Sequence, residues 1–237
     1  MTETNTNLTD ESGRNINPVL GNVFFEILNK FCSQDELRPW MKHPFNAFGK
    51  TLATNGWVLI ATPKISEYLD NTEKIKNVYP VVHNMQKIYD VATLETALAK
   101  CPTEDEFDSV ISKCNACNAC NGDGVVDYEF TYNGKTYEIE EDCPVCDGEG
   151  EIETISDVPN GKKRYDETKL IKINECGLSA WRVADIIFVA NKLKQENITL
   201  IHNSNPLSSC LFKIGDVEML VMPSNIGTDA DVIENIA

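Results

Sequence analysis

Residues 117–124 read CNACNGDG and residues 143–150 read CPVCDGEG, so the pattern CxxCxGxG occurs twice within a short stretch. Two residues between cysteines allow both thiolates of a turn to reach one metal ion, and zinc takes four ligands in a tetrahedron. The glycines suit a tight turn that folds backbone amides towards the sulfurs, because glycine reaches the required conformations without steric cost. The spacing therefore predicts one structural zinc ion, bound by Cys117, Cys120, Cys143 and Cys146.

Cys114 offers an alternative ligand, because it extends the first cluster to CNACNAC and places a further CxxC step at Cys114 and Cys117. The glycine spacing favours Cys117 with Cys120. Free thiols or disulfides at these turns are another alternative, against which the doubled spacing argues. Four thiolates leave no open coordination position, so the predicted zinc is structural and not catalytic.

The segment between the two cysteine pairs has the pattern of a β-hairpin. Residues 126–132 and 137–139 alternate apolar with polar side chains, and Asn133-Gly134 between them is a turn signal. A hairpin returns the chain to its starting point, which brings the two cysteine pairs together. Such a small unit has little core, so metal binding supplies much of its folding free energy. The acidic run at 138–142 predicts a solvated face that binds phosphate poorly.

The 237 residues are 42% hydrophobic and 24% charged, which is typical of a globular protein with room for an insertion. A net charge of −16 argues against wholesale wrapping of nucleic acid, although a local basic surface remains compatible with it. No apolar stretch approaches the roughly 20 residues of a membrane helix. The polar start lacks the features of a secretory signal, so we predict a cytoplasmic protein without a membrane partner. In that compartment, clustered CxxC steps indicate metal binding, and the scattered Cys32, Cys101, Cys176 and Cys210 do not indicate a disulfide scaffold.

Composition and pattern divide the chain into four parts. We predict a disordered tail at 1–17, a first globular half at 18–101, a zinc-binding insertion at 102–164 and a second globular half at 165–237. Each globular half contains helix and strand patterns, which predicts an α+β fold. The predicted helices fall at 23–31, 91–100 and 178–196, and the predicted strands at 45–48, 51–62, 169–174, 197–203, 210–214 and 218–222.

The paired CxxCxGxG pattern resembles the zinc-binding region of DnaJ-type co-chaperones, over about 35 residues. That family has four such repeats and two zinc ions, so two repeats imply one zinc ion here. The J-domain signature His-Pro-Asp is absent, since His43-Pro44 is followed by Phe45. The resemblance therefore implies a DnaJ-type zinc finger and not a chaperone.

The flanking halves resemble the bacterial DNA polymerase sliding clamp, the β-subunit family. Residues 53–59, ATNGWVL, are similar to a family strand motif of the form ATDGHRL, and residues 78–80, VYP, to a Tyr/Phe-Pro segment. Residues 206–223, PLSSCLFKIGDVEMLVMP, are similar to the family's C-terminal pattern, PLxPVLIxxGDxxYLVMPM. The resemblance covers about 150 residues and implies one DNA-clamp (processivity-fold) domain of two helix-plus-strands halves, interrupted by the zinc hairpin.

In that family a ring encircles double-stranded DNA and tethers replication proteins without catalysing a reaction. The resemblance implies a homo-oligomer in which basic residues on the inner helices face DNA; these are Lys30, Arg182, Lys192 and Lys194. It also implies a partner pocket, lined by Thr54, Gly56, Trp57, Val58, Leu59, Val221, Met222 and Pro223. The alternative for the four basic residues is that they are ordinary solvated charges on helices. The alternative for the predicted pocket residues is that they form plain strand core. Trp57-Val58 stand where the family motif has His-Arg.

No nucleophile, Walker or dinucleotide-binding motif is recognisable, so we predict a protein that is not an enzyme and has no small-molecule substrate. The first hypothesis is a sliding-clamp-like processivity factor with a structural zinc module, serving DNA replication in a phage or another mobile element. The alternative is a monomeric protein–protein interaction adaptor that uses the acidic zinc hairpin.

Overall fold

The computed structural model describes residues 8–9, 15–16, 18–203, 205, 208–224 and 231–237. The chain divides into two compact units. The core unit comprises residues 1–102 and 165–237, and the cysteine unit comprises residues 103–164. Within the predicted tail, Leu8–Thr9 (β1) pairs antiparallel with Asn15–Ile16 (β2), and the rest of that segment lies outside the described residues.

The core unit combines helices with antiparallel strands, so the predicted α+β class is confirmed. Its helices are α1 (Pro18–Lys30), α2 (Val91–Ala99) and α3 (Ala180–Lys192), and two short 3-10 turns cover Pro39–Met41 and Thr72–Lys74. Its further strands are β3 (Phe45–Ala47), β4 (Lys50–Thr54), β5 (Val58–Pro63), β6 (Lys87–Asp90), β11 (Lys169–Ile173), β12 (Cys176–Ser179), β13 (Asn197–His202), β14 (Cys210–Ile214), β15 (Val217–Val221) and β16 (Asp231–Ile236).

Seven strands form one antiparallel sheet in the order β3-β4-β5-β15-β14-β13-β6. Both of its faces are covered. On β5, Val58 and Ile60 belong to the cluster that includes the helix residues, whereas Leu59 and Ala61 belong to a second cluster on the opposite face. This alternation follows from the two-residue period of a strand. The first cluster contains the apolar stripe of α1, including Phe24, Ile27, Leu28 and Phe31.

A smaller sheet has the order β12-β11-β16, in which β16 runs parallel to β11. Strand β16 was not predicted from the sequence, and the third helix was predicted to begin at residue 178. Residues 176–179 instead pair antiparallel with β11, so the helix begins at Ala180. The helix ends at Lys192, and Lys194 then adopts a left-handed conformation, with φ 54°, that is typical of a helix C-terminus. The predicted helix at 178–196 is therefore too long at both ends.

Cys176 and Cys210 form a disulfide, which was not predicted from the sequence. Both side chains are fully buried, and the bond joins β12 of the smaller sheet to β14 of the larger one. The two cysteines are 34 residues apart, and only the packing of the two sheets brings them together. The helices of the described chain include none that is both long and apolar enough to cross a membrane.

The cysteine unit contains two pairs of strands. Two long strands, β7 (Thr103–Ala116) and β10 (Glu151–Tyr165), pair as a two-stranded ribbon, and β8 (Val125–Tyr132) with β9 (Lys135–Asp142) forms a hairpin. The predicted hairpin is confirmed, with Asn133-Gly134 at its turn. The sequence analysis did not predict the ribbon.

Candidate metal centre and partner cavity

The four cysteines of the two CxxCxGxG repeats lie together in the cysteine unit. Their sulfur atoms all lie within 4.8 Å of one another, and all four side chains are buried. The Sγ atoms of Cys117 and Cys143 are 3.9 Å apart, and those of Cys120 and Cys146 are 3.7 Å apart. A tetrahedron with zinc–sulfur bonds of about 2.3 Å places its sulfurs about 3.8 Å apart. The sulfur spacing therefore suits a metal ion such as zinc.

The two repeats pair through matched backbone hydrogen bonds. The Cys117 N–H donates to the Gly150 carbonyl at 2.8 Å, and the Cys143 N–H donates to the Gly124 carbonyl at 2.8 Å. Each bond crosses from one repeat to the other and adds to the hydrogen bonds within each turn. The two cysteine pairs are thereby held against one another.

The last glycine of each repeat donates a backbone hydrogen bond to a cysteine sulfur. The amide N–H of Gly124 donates to the Cys120 Sγ at 3.2 Å, and that of Gly150 donates to the Cys146 Sγ at 3.2 Å. Gly124 has a φ of +80°, and a Cβ there would collide with the carbonyl oxygen of Gly148. A larger residue at this position is therefore excluded both by the backbone conformation and by the closeness of the two turns.

The surroundings of Cys120 favour its thiolate. Burial raises the pKa of this thiol, but hydrogen bonds from the amides of Gly124 and Gly122 and from the Cys146 thiol lower the pKa to about 7. Burial and the same contact raise the pKa of Cys146 to about 12, so of these two thiols Cys120 is the one that ionises first. A thiolate is the form that binds a metal ion. Metal binding at this site is accordingly coupled to proton release.

Cys114, the alternative ligand, lies outside this group. Its side chain is exposed, and the cluster of four sulfurs contains Cys120 in its place. The four cysteines that the glycine spacing favours therefore lie together, and their thiolates could hold a metal ion such as zinc. Such a set fills a tetrahedral zinc site and leaves no position for a substrate.

In the core unit, residues from both clamp-like segments line a cavity of about 200 Å³. The segments are brought together because β5 pairs antiparallel with β15, with Leu59 opposite Leu220. Beyond the strand ends, the Met222 N–H donates to the Trp57 carbonyl at 2.9 Å. Six of the eight residues predicted for the partner pocket line this cavity: Thr54, Gly56, Trp57, Val58, Leu59 and Met222.

The other two predicted pocket residues are placed elsewhere. Val221 is fully buried in the cluster that includes the helix residues, because successive strand residues point to opposite faces. Pro223 is half-buried and is not part of the cavity wall. The sequence analysis missed another part of the wall, made by Trp40, Met41, Ile75, Val78 and Leu220. Trp40 and Met41 lie in the short 3-10 turn that begins at Pro39, and one turn is too short to show a periodic pattern.

The turn between β4 and β5 shapes the mouth of this cavity. The Thr54 hydroxyl donates to the Val58 carbonyl at 2.8 Å, and the Asn55 side chain accepts from the Val58 N–H at 3.0 Å. Gly56, with a φ of +91°, completes the turn. The turn holds Trp57 with 62% of its surface exposed, next to the half-exposed Met222.

Trp57 also borders a second, larger cavity of about 510 Å³, whose wall includes Trp181, Arg182 and Asp185. The Arg182 guanidinium lies 5.2 Å from the centre of the Trp57 ring and donates to the Ser179 hydroxyl at 2.7 Å. Burial raises the pKa of Asp185, although Lys30 and Arg182 act in the opposite direction. Trp57 therefore separates an apolar cavity from one that contains charged groups.

The four residues predicted to face DNA are mostly engaged within the chain. Lys30 forms an ion pair with Asp185 at 2.9 Å, and Lys192 forms one with Glu26. Arg182 binds Ser179 and covers Trp57. Lys194 is exposed, and within the described residues no ion pair involves it. The structure thus leaves one of the four cations unpaired and neutralises two of the others.

No protein-family model matches this chain, and no curated protein matches it. Among solved structures it is similar to the DNA polymerase III subunit beta from Pseudomonas aeruginosa, at 13% identity over 88% of this chain and 65% of that chain, with a TM-score of 0.43. For Caulobacter crescentus pol III beta the identity is 11% over the same shares, with a TM-score of 0.45. A DNA polymerase sliding clamp from Pseudomonas aeruginosa matches at 13% identity over 86% of this chain and 64% of that chain, with a TM-score of 0.44. The chain spans just under two thirds of the length of these structures.

Proposed function

We propose that this protein is a sliding-clamp-like, non-enzymatic accessory of DNA replication in a phage or another mobile element. Its cavity beside Trp57 would bind a short apolar segment of a replication protein. The observation that carries the proposal is the position of the two clamp-like segments. ATNGWVL and the LVMP end are far apart in sequence, yet they meet on β5 and β15 and contribute residues to one surface cavity.

The chemistry of the cavity suits an apolar side chain better than a metabolite. Its wall is built mainly from aliphatic, aromatic and methionine side chains, with Thr54 as a polar residue and Lys74 as the charged group. At about 200 Å³ it is smaller than most small-molecule sites, which measure about 300–1,000 Å³, and it matches one or two buried side chains. Exposed tryptophan and methionine at its mouth are the residue types that anchor protein interfaces.

Contact with DNA requires a ring built from several copies of the chain, because the clamp resemblance covers a single clamp-like domain. In such a ring, helices α1 and α3 would face the duplex and attract phosphates without reading the base sequence. Lys194 would contribute directly. Lys192 would do so by exchanging Glu26 for phosphate, because such an exposed ion pair contributes only about 0–1 kcal/mol. Lys30 would have to leave Asp185, whose side chain is only 21% exposed, so its exchange is less favourable.

The cysteine unit would hold one structural zinc ion through Cys117, Cys120, Cys143 and Cys146. When bound, zinc joins the two turns and contributes folding free energy to a unit with little apolar core. Among described residues, the buried apolar cluster at this site consists of the four cysteines with half-buried Val126 beside them. This role is independent of the clamp, so loss of the metal would leave the cavity beside Trp57 intact.

Native mass spectrometry with a DNA-retention assay tests the proposal. We expect a closed oligomer with one zinc ion per chain, and salt-sensitive retention on nicked circular DNA that is lost on linear DNA because a ring slides off the ends. A strictly monomeric protein that is retained on neither DNA at low salt would overturn the clamp. A zinc count of zero in a folded cysteine unit would overturn only the metal assignment.

A further inference from the structure

The β8–β9 hairpin presents two different faces. In its register Tyr128 is opposite Ile139 and Phe130 is opposite Tyr137, so these side chains share one face. Asp127 opposite Glu140 and Glu129 opposite Glu138 share the other. One face is therefore aromatic and aliphatic, and the other carries carboxylates. Nothing in the proposed clamp function uses either face.

The apolar face is exposed. Tyr128, Phe130, Tyr137 and Ile139 are each 43–48% exposed, and the rings of Phe130 and Tyr137 stack at 5.3 Å between centroids. Within the described part of the chain, β8 and β9 pair only with each other. Each therefore has a free edge, at which an additional strand can form backbone hydrogen bonds.

The acidic face lowers the stability of the hairpin itself. Like charges directly opposite each other on a sheet are destabilising, and the hairpin contains two such pairs. The ribbon of the same unit is built differently: Asp105 pairs with Lys163 at 2.5 Å, and Glu104 pairs with Arg164 at 2.9 Å. Among described residues, no ion pair involves the four carboxylates of the hairpin face. The chain thus pairs its charges on the ribbon and leaves them unpaired on the hairpin.

We propose that this hairpin binds an extended, basic protein segment in which apolar residues alternate with lysine or arginine. The segment would add as a third strand to a free edge of the hairpin. Because a strand alternates its side chains with a period of two, its apolar residues would extend the Phe130–Tyr137 face. Its cations would meet the carboxylates of the strand that it joins, which include Glu129 on β8 and Glu138 on β9. The inference does not depend on the clamp proposal.

Charge favours a basic protein segment over the other occupants of this surface. The cysteine unit contains 16 acidic and 5 basic side chains, so its net charge is −11 of the chain's −16. A second hairpin added at a free edge would place its carboxylates beside those of the first, and nucleic acid or an anionic membrane would be repelled. A basic segment is attracted, and it would relieve the opposed carboxylates.

Fluorescence anisotropy with the full-length, zinc-loaded chain tests this inference. The probe is a fluorescein-labelled nine-residue peptide of alternating lysine and valine. We expect binding that weakens about tenfold when salt is raised from about 0.05 M to about 0.5 M, since the contacts are exposed. A peptide with glutamate in place of lysine, and one methylated on every backbone nitrogen, should not bind.

The decisive variant is Glu129→Gln with Glu138→Gln, because it removes like-charge repulsion and keeps the hairpin folded. We expect affinity for the alternating peptide to fall roughly tenfold, while thermal stability stays equal or rises. Phe130→Ser should weaken binding similarly. The matched control is Glu151→Gln with Glu153→Gln on the ribbon, which removes the same charge from exposed positions and should leave affinity within about twofold.

Several results would overturn the inference. If the hairpin and ribbon variants lose the same affinity for the peptide, net charge and not the hairpin face explains the binding. Unchanged binding of the methylated peptide would exclude strand addition. Self-association that Phe130→Ser abolishes, observed by sedimentation in the absence of peptide, would make a second copy the occupant.

Discussion

Met222 donates its backbone N–H to the carbonyl oxygen of Trp57 at 2.9 Å, and this bond joins the two ends of the cavity mouth. Both side chains border the cavity and both are exposed, at 62% for Trp57 and 42% for Met222. A backbone bond holds the two segments in register without using either side chain. The side chains are therefore available to a partner, and they can be replaced without breaking the contact.

Replacing Trp57 by alanine should separate binding from stability. We expect the melting temperature to change by no more than about 2 °C, because the ring is largely exposed. Affinity for a replication partner that uses the cavity should fall by roughly 2 kcal/mol or more, as for interface tryptophans. Calorimetry and a binding titration measure the two effects. Leu37→Ala is the control, because Leu37 is 91% exposed and lies outside the cavity wall. Equal affinities for the two variants would contradict a partner site at Trp57.

Gly124→Ala should prevent the cysteine unit from folding around its metal. The new Cβ would meet the Gly148 carbonyl, and φ at this position is +80°. We expect loss of the zinc ion in native mass spectrometry. Gly134→Ala is a matched control: φ there is +71°, and a Cβ meets nothing within 4 Å. That variant should cost only about 1 kcal/mol and keep its metal. If the Gly124→Ala variant still binds one zinc ion per chain, the close approach of Gly124 to the Gly148 carbonyl is not required for metal binding.

Cysteine replacements should distinguish the ligands from their neighbour. Cys120→Ser is expected to abolish stoichiometric zinc, because one of four thiolates is lost from a buried site. Cys114→Ser should bind one zinc ion like the parent chain, because Cys114 is exposed and outside the cluster. Zinc-edge X-ray absorption reports the number of sulfur ligands directly. Four sulfurs in the Cys120→Ser protein would mean that Cys114 can take over the position.

Acid should weaken the core unit through Glu218. Burial raises the pKa of this carboxyl, but Lys50 and Tyr79 outweigh burial and lower its pKa below the ordinary value. A lowered folded-state pKa contributes stability above the unfolded-state pKa, and that contribution is lost as pH falls through the folded-state pKa. Glu218→Gln should therefore lower stability at neutral pH by about 1–3 kcal/mol and flatten the loss of stability below pH about 4.5. A variant whose acid dependence equals that of the parent would exclude Glu218 as a contributor.

Local patterns in the sequence predicted the elements whose periodicity or turn chemistry is complete within a few residues. The CxxCxGxG spacing identified the four sulfurs, and Asn133-Gly134 identified the hairpin. The helix predicted at 23–31 and the strands predicted at 210–214 and 218–222 are of the same kind. The start of α3 was misjudged because residues 176–179 are apolar in either a strand or a helix, and only pairing with β11 selects the strand.

The sequence by itself determined which four cysteines cluster, the α+β class and the alternation of the hairpin, because each depends on residues close together in the chain. The tertiary structure decided which distant residues meet. In the tertiary structure Trp57 lies beside Met222, and Val221 lies on the face of the sheet opposite the cavity. Cys176 forms a disulfide with Cys210, and Lys30 forms an ion pair with Asp185. These relations arise from strand order and sheet packing, which the local pattern of the sequence does not specify. The cavity that carries the proposed function exists only because β5 and β15 are neighbours in the sheet.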